Sequence, residues 1–240
     1  KHSKIVGCVV NDVSPFGKKE TFLEKTKKTF DVFGLNFFLH YGMKFVKNKL
    51  DPNKNVKHIL NKYSIEEIVL DKHINHEDSV KKIKGFKPDL LVSGVNHGSN
   101  SSINVIYSGT MSAAVEGAIE GITAIGFSLL DYSWEADFEA SKVFIEKIAS
   151  NVLQHGLPNG TLLNVNIPKG QLSEIKGIKI CRQARAKWVE EFDQRQDPYG
   201  RNYFWLTGKF NNLDKGEDTD EWALANNFVS VVPVQFDLTA

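Results

Sequence analysis

The chain has 240 residues, of which 41% are hydrophobic and 25% charged, a composition typical of a globular protein rather than a disordered or fibrous one. Its formal net charge of +1 argues against a generally basic nucleic-acid-binding protein. Cys8 and Cys181 form no C-x-x-C motif, and the apolar run Ile5–Val10 is too short to span a membrane. We therefore expect a cytoplasmic protein without a disulfide framework or a membrane anchor.

Short runs of β-branched or aromatic residues alternate with helical patterns along the chain. The runs predicted to be strands are Ile5–Val10, Asn36–Leu39, Asp89–Ser93, Thr123–Leu130, Thr161–Ile167 and Ile175–Cys181. Several of these runs are apolar at consecutive positions, which is typical of strands buried on both faces of a mostly parallel sheet. The alternation of strands and helices therefore predicts an α/β fold.

Two helices are predicted from the spacing of apolar residues and from capping signals. The clearer helix covers about Trp134–Leu153, with Ser133 suited to cap its start and Gly156 its end. The other helix starts near Thr110 and is rich in small residues. Small side chains allow a helix to lie close against a sheet, so we expect this helix to pack on the predicted strands.

The last fifth of the chain, from Gln194 onward, has a different composition from the rest. The aromatic residues Tyr203–Trp205 are followed by an acidic loop and by the strand-like run Phe228–Val234. A two-stranded extension with so much aromatic surface is marginal in water, so we expect it to pack against a second subunit. The sequence thus predicts one domain, 1–240, in which about 194–240 form an extension used in assembly.

A loop of glycines and amides follows the predicted strand that ends at Ser93. In a parallel sheet such loops lie at the carboxyl ends of the strands, where ligands of open α/β folds bind. Gly94 and Gly98 permit backbone turns and close approach to a ligand, and the Asn96 amide oxygen is a hard donor suited to Mg²⁺ or Mn²⁺. An asparagine between two glycines is also a common turn residue, so the residues alone leave both interpretations open.

The segment Tyr107-Ser108-Gly109-Thr110 leads into the second predicted helix. Unpaired backbone N–H groups at a helix start, together with the two hydroxyls, are suited to bind a phosphate dianion. The alternative is that Ser108 or Thr110 only caps the helix. Neither G-x-G-x-x-G nor G-x-x-x-x-G-K-S/T occurs, so no motif supports a dinucleotide-binding loop or a P-loop.

These two loops belong to a longer set of motifs between about residues 86 and 240. The set consists of Lys87-Pro88-Asp89, Ser93-Gly94-Val95-Asn96-His97-Gly98, Ile106–Ala114, Ala124–Leu129, Leu163–Pro168, Gly216–Asp220 and Gln235–Ala240. Together the motifs closely resemble the SurE family of survival-protein nucleotidases. The pairing of S-G-x-N-x-G with Y-S-G-T is the most specific part of this resemblance.

The resemblance implies a Rossmann-like three-layer core with a mostly parallel sheet, a protruding β-hairpin and a C-terminal extension used in a homodimer or homotetramer. It also implies metal-dependent removal of phosphate from nucleoside 5′- and 3′-monophosphates, with Mg²⁺ or Mn²⁺ as the divalent cation. Carried over residue by residue, Asn96 is a metal ligand, and Ser108, Gly109 and Thr110 bind the phosphate. The expected partner is a nucleoside monophosphate substrate, and neither a membrane nor a nucleic acid is expected.

The first third of the chain departs from the family pattern, in which an N-D-D-G motif follows the first strand. Asp12 matches the first aspartate, whereas Val13 stands where the second is expected. The family's serine motif has its nearest match in Tyr41-Gly42-Met43, with tyrosine in place of serine. The resemblance therefore assigns Asp12, beside Asn96, as a metal ligand and catalytic residue. The alternative is a protein that binds phosphate or nucleotide but is catalytically impaired, because its N-terminal metal ligands have decayed.

The mechanism that fits these residues is metal-assisted hydrolysis of a phosphomonoester. The cation neutralises phosphate charge and lowers the pKa of a water molecule, which attacks phosphorus in line. Backbone N–H groups around Ser108–Thr110 stabilise the equatorial oxygens as charge develops in the transition state. The sequence points to no group that assists the leaving alcohol.

Overall fold

The computed structural model describes residues 5, 7–9, 26–27, 30, 34, 42–44, 46–47, 50–52, 55–70, 76–133, 135–237 and 239. The chain divides into two compact units, residues 1–88 and residues 89–240. The predicted strand Asn36–Leu39 lies outside the described residues. Within the described ranges, no helix is long and apolar enough to cross a membrane.

The described part of the first unit includes a short pair of strands and two helices with defined bounds, and residues 26–27 and 42–44 are also helical. Strand β1 (Cys8–Val9) pairs in parallel with strand β2 (Glu67–Ile68). Helix α1 (Val56–Lys62) precedes β2, and helix α2 (Glu77–Lys84) follows it. Cys8 and Val9 belong to the run predicted as the first strand, so that prediction is confirmed for these two residues.

The second unit contains most of the regular structure. Its strands are β3 (Leu91–His97), β4 (Ala124–Leu129), β5 (Thr161–Ile167), β6 (Gly177–Ile180), β7 (Ala186–Gln196), β8 (Asn202–Asn212) and β9 (Phe228–Gln235). Its helices are α3 (Gly109–Ile119), α4 (Glu139–His155) and α5 (Asp220–Ala225), and a 3₁₀ helix covers Ser102–Tyr107.

The described strands of this unit form a central sheet in the order β3-β4-β5-β9-β6, and β7 and β8 form a separate antiparallel hairpin. Strands β3, β4 and β5 are parallel neighbours. Strand β9 runs antiparallel to β5 and parallel to β6. The predicted α/β fold with a mostly parallel sheet is therefore confirmed.

Helices cover both faces of this sheet, because successive side chains of a strand point to opposite faces. On one face, apolar residues of β4 and β5 pack with residues of α4; they are Ile125, Phe127, Leu129, Leu163, Val165, Ile167, Phe144, Ile148 and Val152. On the other face, Ala124 and Leu162 pack with Met111, Ala114 and Ala118 of α3. Burying each large apolar side chain contributes about 1.5–3 kcal/mol, so these two layers hold the unit together.

The small residues of α3 allow the close packing that the sequence predicted. A Cβ atom placed on Gly126 of β4 would lie 2.5 Å from the Met111 Sδ. A Cβ atom on Gly117 would lie 3.2 Å from the Leu91 Cδ1 and 3.3 Å from the Ala124 Cβ. Helix α3 therefore sits directly on β3 and β4, and its start lies over the same strands.

Helix α4 begins later than predicted, at Glu139 rather than near position 134. The Ser133 N–H donates to the Asp131 Oδ1 at 2.9 Å, which holds Ser133 in a turn instead of at a helix start. The helix starts after Phe138, which forms no side-chain cap, and the Asp137 Oδ1 accepts the Glu139 N–H at 2.9 Å. The predicted end is confirmed: Gly156 has φ +73° and its N–H donates to the Val152 carbonyl at 2.7 Å.

The C-terminal segment differs from its expected arrangement in two ways. The hairpin begins at Ala186, before the predicted boundary at Gln194. The strand predicted over Phe228–Val234 is β9, which lies between β5 and β6 in the central sheet, with Val229 and Val231 buried. This strand is therefore part of the central sheet and not of a two-stranded extension, while the predicted contact with a second subunit stays a prediction.

Candidate active site

A row of polar residues crosses the sheet near the carboxyl ends of its parallel strands. Asn96 of β3 is paired with Ser128 of β4, and Ser128 is paired with Asn166 of β5. Ser128 and Asn166 are fully buried. They lie on the face that α3 covers, since they are separated by four residues from Ala124 and Leu162. Ligands of α/β folds bind at this end of a parallel sheet, so the row marks the candidate site.

The Asn96 side chain is held by four hydrogen bonds within the protein. Its Oδ1 accepts from the Asn100 Nδ2 at 3.0 Å and from the Ser128 Oγ at 2.9 Å. Its Nδ2 donates to the carbonyl oxygens of His97 and Gly98, each at 3.1 Å. These bonds fix the amide in one orientation at the end of β3.

Asn100 ties the loop after β3 to strand β5. Its backbone N–H donates to the Asn166 Oδ1 at 2.7 Å, and its carbonyl accepts from the Asn164 Nδ2 at 2.7 Å. The Asn166 Nδ2 donates in turn to the Asn164 Oδ1 at 3.0 Å. No role was predicted for these three asparagines from the sequence. The sequence feature that could have identified them is the spacing of Asn164 and Asn166, two residues apart in a largely apolar strand, which places both side chains on one face.

Two of the predicted loop glycines are required by their surroundings. Gly94 has φ +106°, and a Cβ atom there would collide with the Phe127 carbonyl oxygen and lie 3.3 Å from the Thr110 Cγ2. Gly98 has φ +91°, and a Cβ atom there would lie 2.7 Å from the Tyr132 Cζ. Both glycines therefore allow close packing against other parts of the chain, and the approach of a ligand to them stays a prediction.

The start of α3 lies beside this loop, through the contact of Thr110 with Gly94. Ser108 is buried and its Oγ accepts the Met111 N–H at 3.1 Å, so Ser108 caps the helix. Gly109 and Thr110 occupy the first two helical positions, where a backbone N–H has no partner within the helix. A Cβ atom on Gly109 would meet nothing within 4 Å, so the space beside the first N–H is open.

Asp220 is a buried carboxylate that joins three segments of the second unit. Its Oδ2 accepts the Ser102 N–H at 2.7 Å, and its Oδ1 accepts the N–H groups of Ala184 at 2.9 Å and Glu221 at 2.8 Å. Burial raises the pKa of Asp220, while these N–H donors act in the opposite direction. Asp220 lies in a motif that carries the family resemblance, and the structure gives it a role in holding the 3₁₀ helix in place.

A second carboxylate, Glu221, contacts the loop that follows β3. The Ser101 Oγ donates to the Glu221 Oε1, and the Ser99 Oγ lies 2.5 Å from the Ser101 Oγ. Burial raises the pKa of Glu221, and the charge of Asp220 raises it further. No motif in the sequence pointed to this cluster, because it joins residues 120 positions apart.

His97 contacts the loop after β4. Its Nδ1 lies 3.1 Å from the Asp131 carbonyl oxygen, and its ring packs edge-on against Phe138 with 5.3 Å between ring centroids. The Asp131 carboxylate lies 3.2 Å from the Lys169 Nζ. Its pKa is held below the usual range, chiefly by the hydrogen bond from the Ser133 N–H. These contacts join the loops after β3 and β4.

The second unit brings together Asn96, Ser108, Gly109 and Thr110, four of the five residues assigned to the site. Asp12 lies outside the described residues, as do Val13 and Tyr41. In the part of the chain that the structure describes, no group of three or more His, Cys, Asp or Glu side chains is placed to hold a metal ion. Within the described residues, Asn96 supplies a neutral oxygen donor.

Comparison with known proteins identifies relatives over about two thirds of the chain. Residues 75–190 match the family described as Survival protein SurE. A 5′-nucleotidase SurE of Flavobacterium psychrophilum is 69% identical over 162 residues, which is 68% of this chain and 63% of the relative. One of Christiangramia forsetii is 72% identical over 162 residues, 68% of this chain and 62% of the relative.

A solved structure shows the same relationship. The crystal structure of the SurE protein from Aquifex aeolicus is similar with a TM-score of 0.58 and 41% sequence identity, over 65% of this chain and 63% of that chain. The chain therefore spans a little less than two thirds of the length of these proteins.

Proposed function

This chain belongs to the SurE family, and we propose that it is a metal-dependent phosphomonoesterase that hydrolyses nucleoside 5′-monophosphates, and 3′-monophosphates, to nucleoside and phosphate. The relatives named 5′-nucleotidase SurE support the reaction class. The observation that carries the proposal is the open start of α3, which lies beside the polar ends of β3 and β4. That arrangement suits a small anionic ligand.

The phosphate is bound by the backbone at the start of α3. The N–H groups of Gly109 and Thr110 are free of helical partners, and the helix dipole adds positive potential at this end. Ser108 contributes through its position: its hydroxyl caps the helix and fixes the direction of these N–H groups. Donors fixed in advance stabilise the charge that develops on the phosphate oxygens without reorganising.

We assign the divalent cation, Mg²⁺ or Mn²⁺, to Asn96 and Asp12. The Asn96 oxygen is a suitable hard donor, but it already accepts from Asn100 and Ser128, so coordination requires one of these donors to turn away. The described residues fit the ion in part, and we assign the carboxylate ligand to Asp12 from its place in the family pattern. When bound, such a cation supplies positive charge against the phosphate and acidifies a water molecule.

The alternative is a member of the family that binds phosphate or nucleotide without turnover. Its support is Val13, which stands where the family places a second carboxylate. Loss of a carboxylate removes a full negative charge from beside a divalent cation, and the amide of Asn96 does not replace that charge. Phosphate binding at the start of α3 does not depend on this position.

One assay separates the two functions. Phosphate release from AMP and from 3′-AMP is measured with Mn²⁺, with Mg²⁺ and after addition of EDTA. The proposed function predicts turnover that requires the cation and is lost in EDTA. Binding of AMP, measured by calorimetry, without turnover at saturating metal supports the alternative. Absence of both turnover and binding contradicts each of them.

The proposed enzyme assembles as a homodimer or homotetramer, and the hairpin of β7 and β8 supplies the contact surface. Directly paired residues share a face, and one face carries Trp188, Phe192, Phe204 and Leu206. Phe192 and Leu206 are 69% and 64% exposed within the chain. We also propose that the protein acts on a small-molecule substrate and that it is located in the cytoplasm.

A further inference from the structure

Tyr132 presents an exposed aromatic ring in the loop that follows β4. Its side chain is 75% exposed, although the ring is held in place on one side. The Ser99 N–H donates to the Tyr132 Oη at 3.3 Å, and the ring lies directly against Gly98. Because β3 and β4 are parallel neighbours, their following loops lie at the same edge of the sheet. Tyr132 thus stands at the edge that carries Asn96.

The backbone before Tyr132 is fixed from several directions. The Asp131 N–H donates to the Leu129 carbonyl at 2.7 Å. The Asp131 carbonyl lies 3.1 Å from the His97 Nδ1, and its carboxylate lies 3.2 Å from the Lys169 Nζ. An aromatic side chain that is already held in position loses little conformational entropy when a ligand covers it. Contacts with the loop after β3 and with Lys169 thus hold the backbone that carries the exposed ring.

Contacts connect this ring to the phosphate-binding end of the site. The Asn96 Nδ2 donates to the Gly98 carbonyl, whose residue lies beneath the Tyr132 ring. Two residues before Asn96, Gly94 contacts Thr110 at the start of α3. An anion-binding helix start and a fixed aromatic ring thus flank one loop. A nucleoside monophosphate has the matching pair of groups, a phosphate and a planar base.

We propose that Tyr132 is a specificity-determining residue on which the nucleobase of the substrate stacks. This inference rests on the proposed function and names the group that the site recognises beyond the phosphate. Stacking is tolerant of base identity because every nucleobase has a π face. The site therefore distinguishes nucleoside monophosphates from phosphomonoesters that carry no base, and it distinguishes weakly among the bases.

The test compares AMP with ribose 5-phosphate, which carries the same sugar phosphate without a base. Removing one stacking ring raises the KM for AMP by about tenfold in Tyr132→Ala. The kcat for AMP and both constants for ribose 5-phosphate stay at their wild-type values. Tyr132→Phe keeps the ring but loses the hydrogen bond from the Ser99 N–H, so it should raise the KM for AMP much less than Tyr132→Ala. Tyr199→Ala, at an 85% exposed tyrosine in the turn of the hairpin, is the matched control and changes neither substrate.

Two results overturn the inference: an unchanged KM for AMP in Tyr132→Ala, or equal changes for AMP and ribose 5-phosphate. If the wild-type chain hydrolyses neither compound, the proposed function fails, and calorimetric binding of the two compounds then tests the ring by itself. In that case the inference predicts that AMP binds more tightly than ribose 5-phosphate and that Tyr132→Ala abolishes the difference. Equal binding of the two compounds by the wild-type chain refutes it.

Discussion

The Asn100 side chain donates a hydrogen bond of 3.0 Å to the amide oxygen of Asn96, and this pair joins the candidate site to the core of the sheet. Asn100 is itself bound through its backbone to Asn164 and Asn166 of a fully buried strand. The residue assigned as a metal ligand therefore also holds the loop in its folded position. A change at Asn96 affects both the chemistry and the stability of the loop.

Replacing Asn96 with alanine is expected to lower AMP hydrolysis by orders of magnitude and also to destabilise the fold. If Asn96 were only an exposed loop residue, Asn96→Ala would lower activity without changing the melting temperature. The structure predicts a different result, because Asn96→Ala removes four hydrogen bonds that hold the loop, including those with Asn100 and Ser128. The expected loss is about 1–3 kcal/mol of unfolding free energy. Denaturant titration and kcat/KM for AMP measure the two effects.

Ser128→Ala is the matched control for this variant. It removes one donor to the Asn96 oxygen and one acceptor for the Asn100 side chain, but it leaves the Asn96 amide in place. We expect a similar loss of stability with most of the activity retained. If the two variants lose activity equally at a temperature where both are folded, Asn96 acts through loop stability alone.

A proline at Gly109 tests the phosphate site with little disturbance of the helix. Proline is tolerated at the first helical position, and it requires an extended residue before it. Ser108 has φ −89° and ψ 120°, which meets this requirement. Gly109→Pro removes one N–H donor, so the dissociation constant for phosphate should rise by about tenfold or more. Isothermal titration with inorganic phosphate measures the change.

Gly109→Ala separates the lost donor from the lost glycine. Alanine keeps the N–H, and its Cβ atom enters open space. Both substitutions restrict the unfolded chain, so each is expected to leave stability unchanged or raise it by about 0.4–1 kcal/mol. Wild-type phosphate affinity in Gly109→Pro, with the helix intact, would show that phosphate binds elsewhere.

Arg182 links two carboxylates in a way that predicts a loss of stability in acid. Its guanidinium donates to the Asp214 Oδ2 at 2.6 Å and to the Asp218 Oδ2 at 2.8 Å. These hydrogen bonds hold the pKa of Asp214 and of Asp218 below the usual range, with Arg182 as the largest cause. Between these lowered pKa values and about pH 4, the usual pKa of an aspartate, the unfolded chain binds more protons than the folded one. The stabilisation is therefore complete above about pH 4 and is lost as pH falls through the lowered pKa values.

Arg182→Gln is expected to flatten this acid dependence when unfolding free energy is measured from about pH 2 to 7. Asp220 and Glu221 have the opposite effect on the pH dependence of stability, because burial raises the pKa of each carboxyl group. A raised pKa gives stability that is present in acid and is lost as pH rises through the raised value. An unchanged slope in Arg182→Gln would show that the pairs contribute nothing to the acid limb.

The fold could be predicted where local patterns decide it, and the site could be predicted only in part. Strand β5 has the predicted bounds, Thr161–Ile167, because its apolar run is bounded by turn residues on both sides. The position of β9 could not be predicted, since a valine-rich strand looks alike at a sheet edge, in an extension or between two strands. The bond from Asn100 to Asn166 spans 66 residues, and no local spacing reports a contact over such a distance.

We expect the apolar face of the β7–β8 hairpin to be buried in the subunit interface of an oligomer. Phe192 and Leu206 are directly paired, so together they form one apolar patch. Lysines at both positions place charge in the proposed contact, where it has no partner. Sedimentation velocity at micromolar concentration should show a dimer or tetramer for the wild-type chain and a monomer for Phe192→Lys with Leu206→Lys.

Glu191→Lys is the control for the hairpin, because it changes charge on the opposite face of the same strand. It should leave the sedimentation coefficient unchanged. A wild-type monomer contradicts the proposed assembly. Dissociation in both charge variants would indicate a general effect of charge rather than a contact on the apolar face.

Val13→Asp tests whether the N-terminal segment still forms a metal site. Val13 and Asp12 lie outside the described residues, so the prediction rests on their place in the family pattern. With one carboxylate missing, the wild-type chain should bind the cation weakly and need unusually high Mn²⁺ or Mg²⁺ for AMP hydrolysis. A restored carboxylate adds a negative charge beside the ion, so Val13→Asp should lower the required concentration.

The metal dependence of the two chains, measured side by side, distinguishes loss of one ligand from loss of the whole site. If the backbone of this segment has also diverged, the new carboxylate finds no cation, destabilises the fold by about 1–3 kcal/mol and restores nothing. Asp12→Asn is the control, since it removes the carboxylate assigned to the ion and should abolish metal-dependent turnover in either background. No turnover in wild type or Val13→Asp at saturating metal would mean that this chain keeps the phosphate-binding fold without a working hydrolytic site.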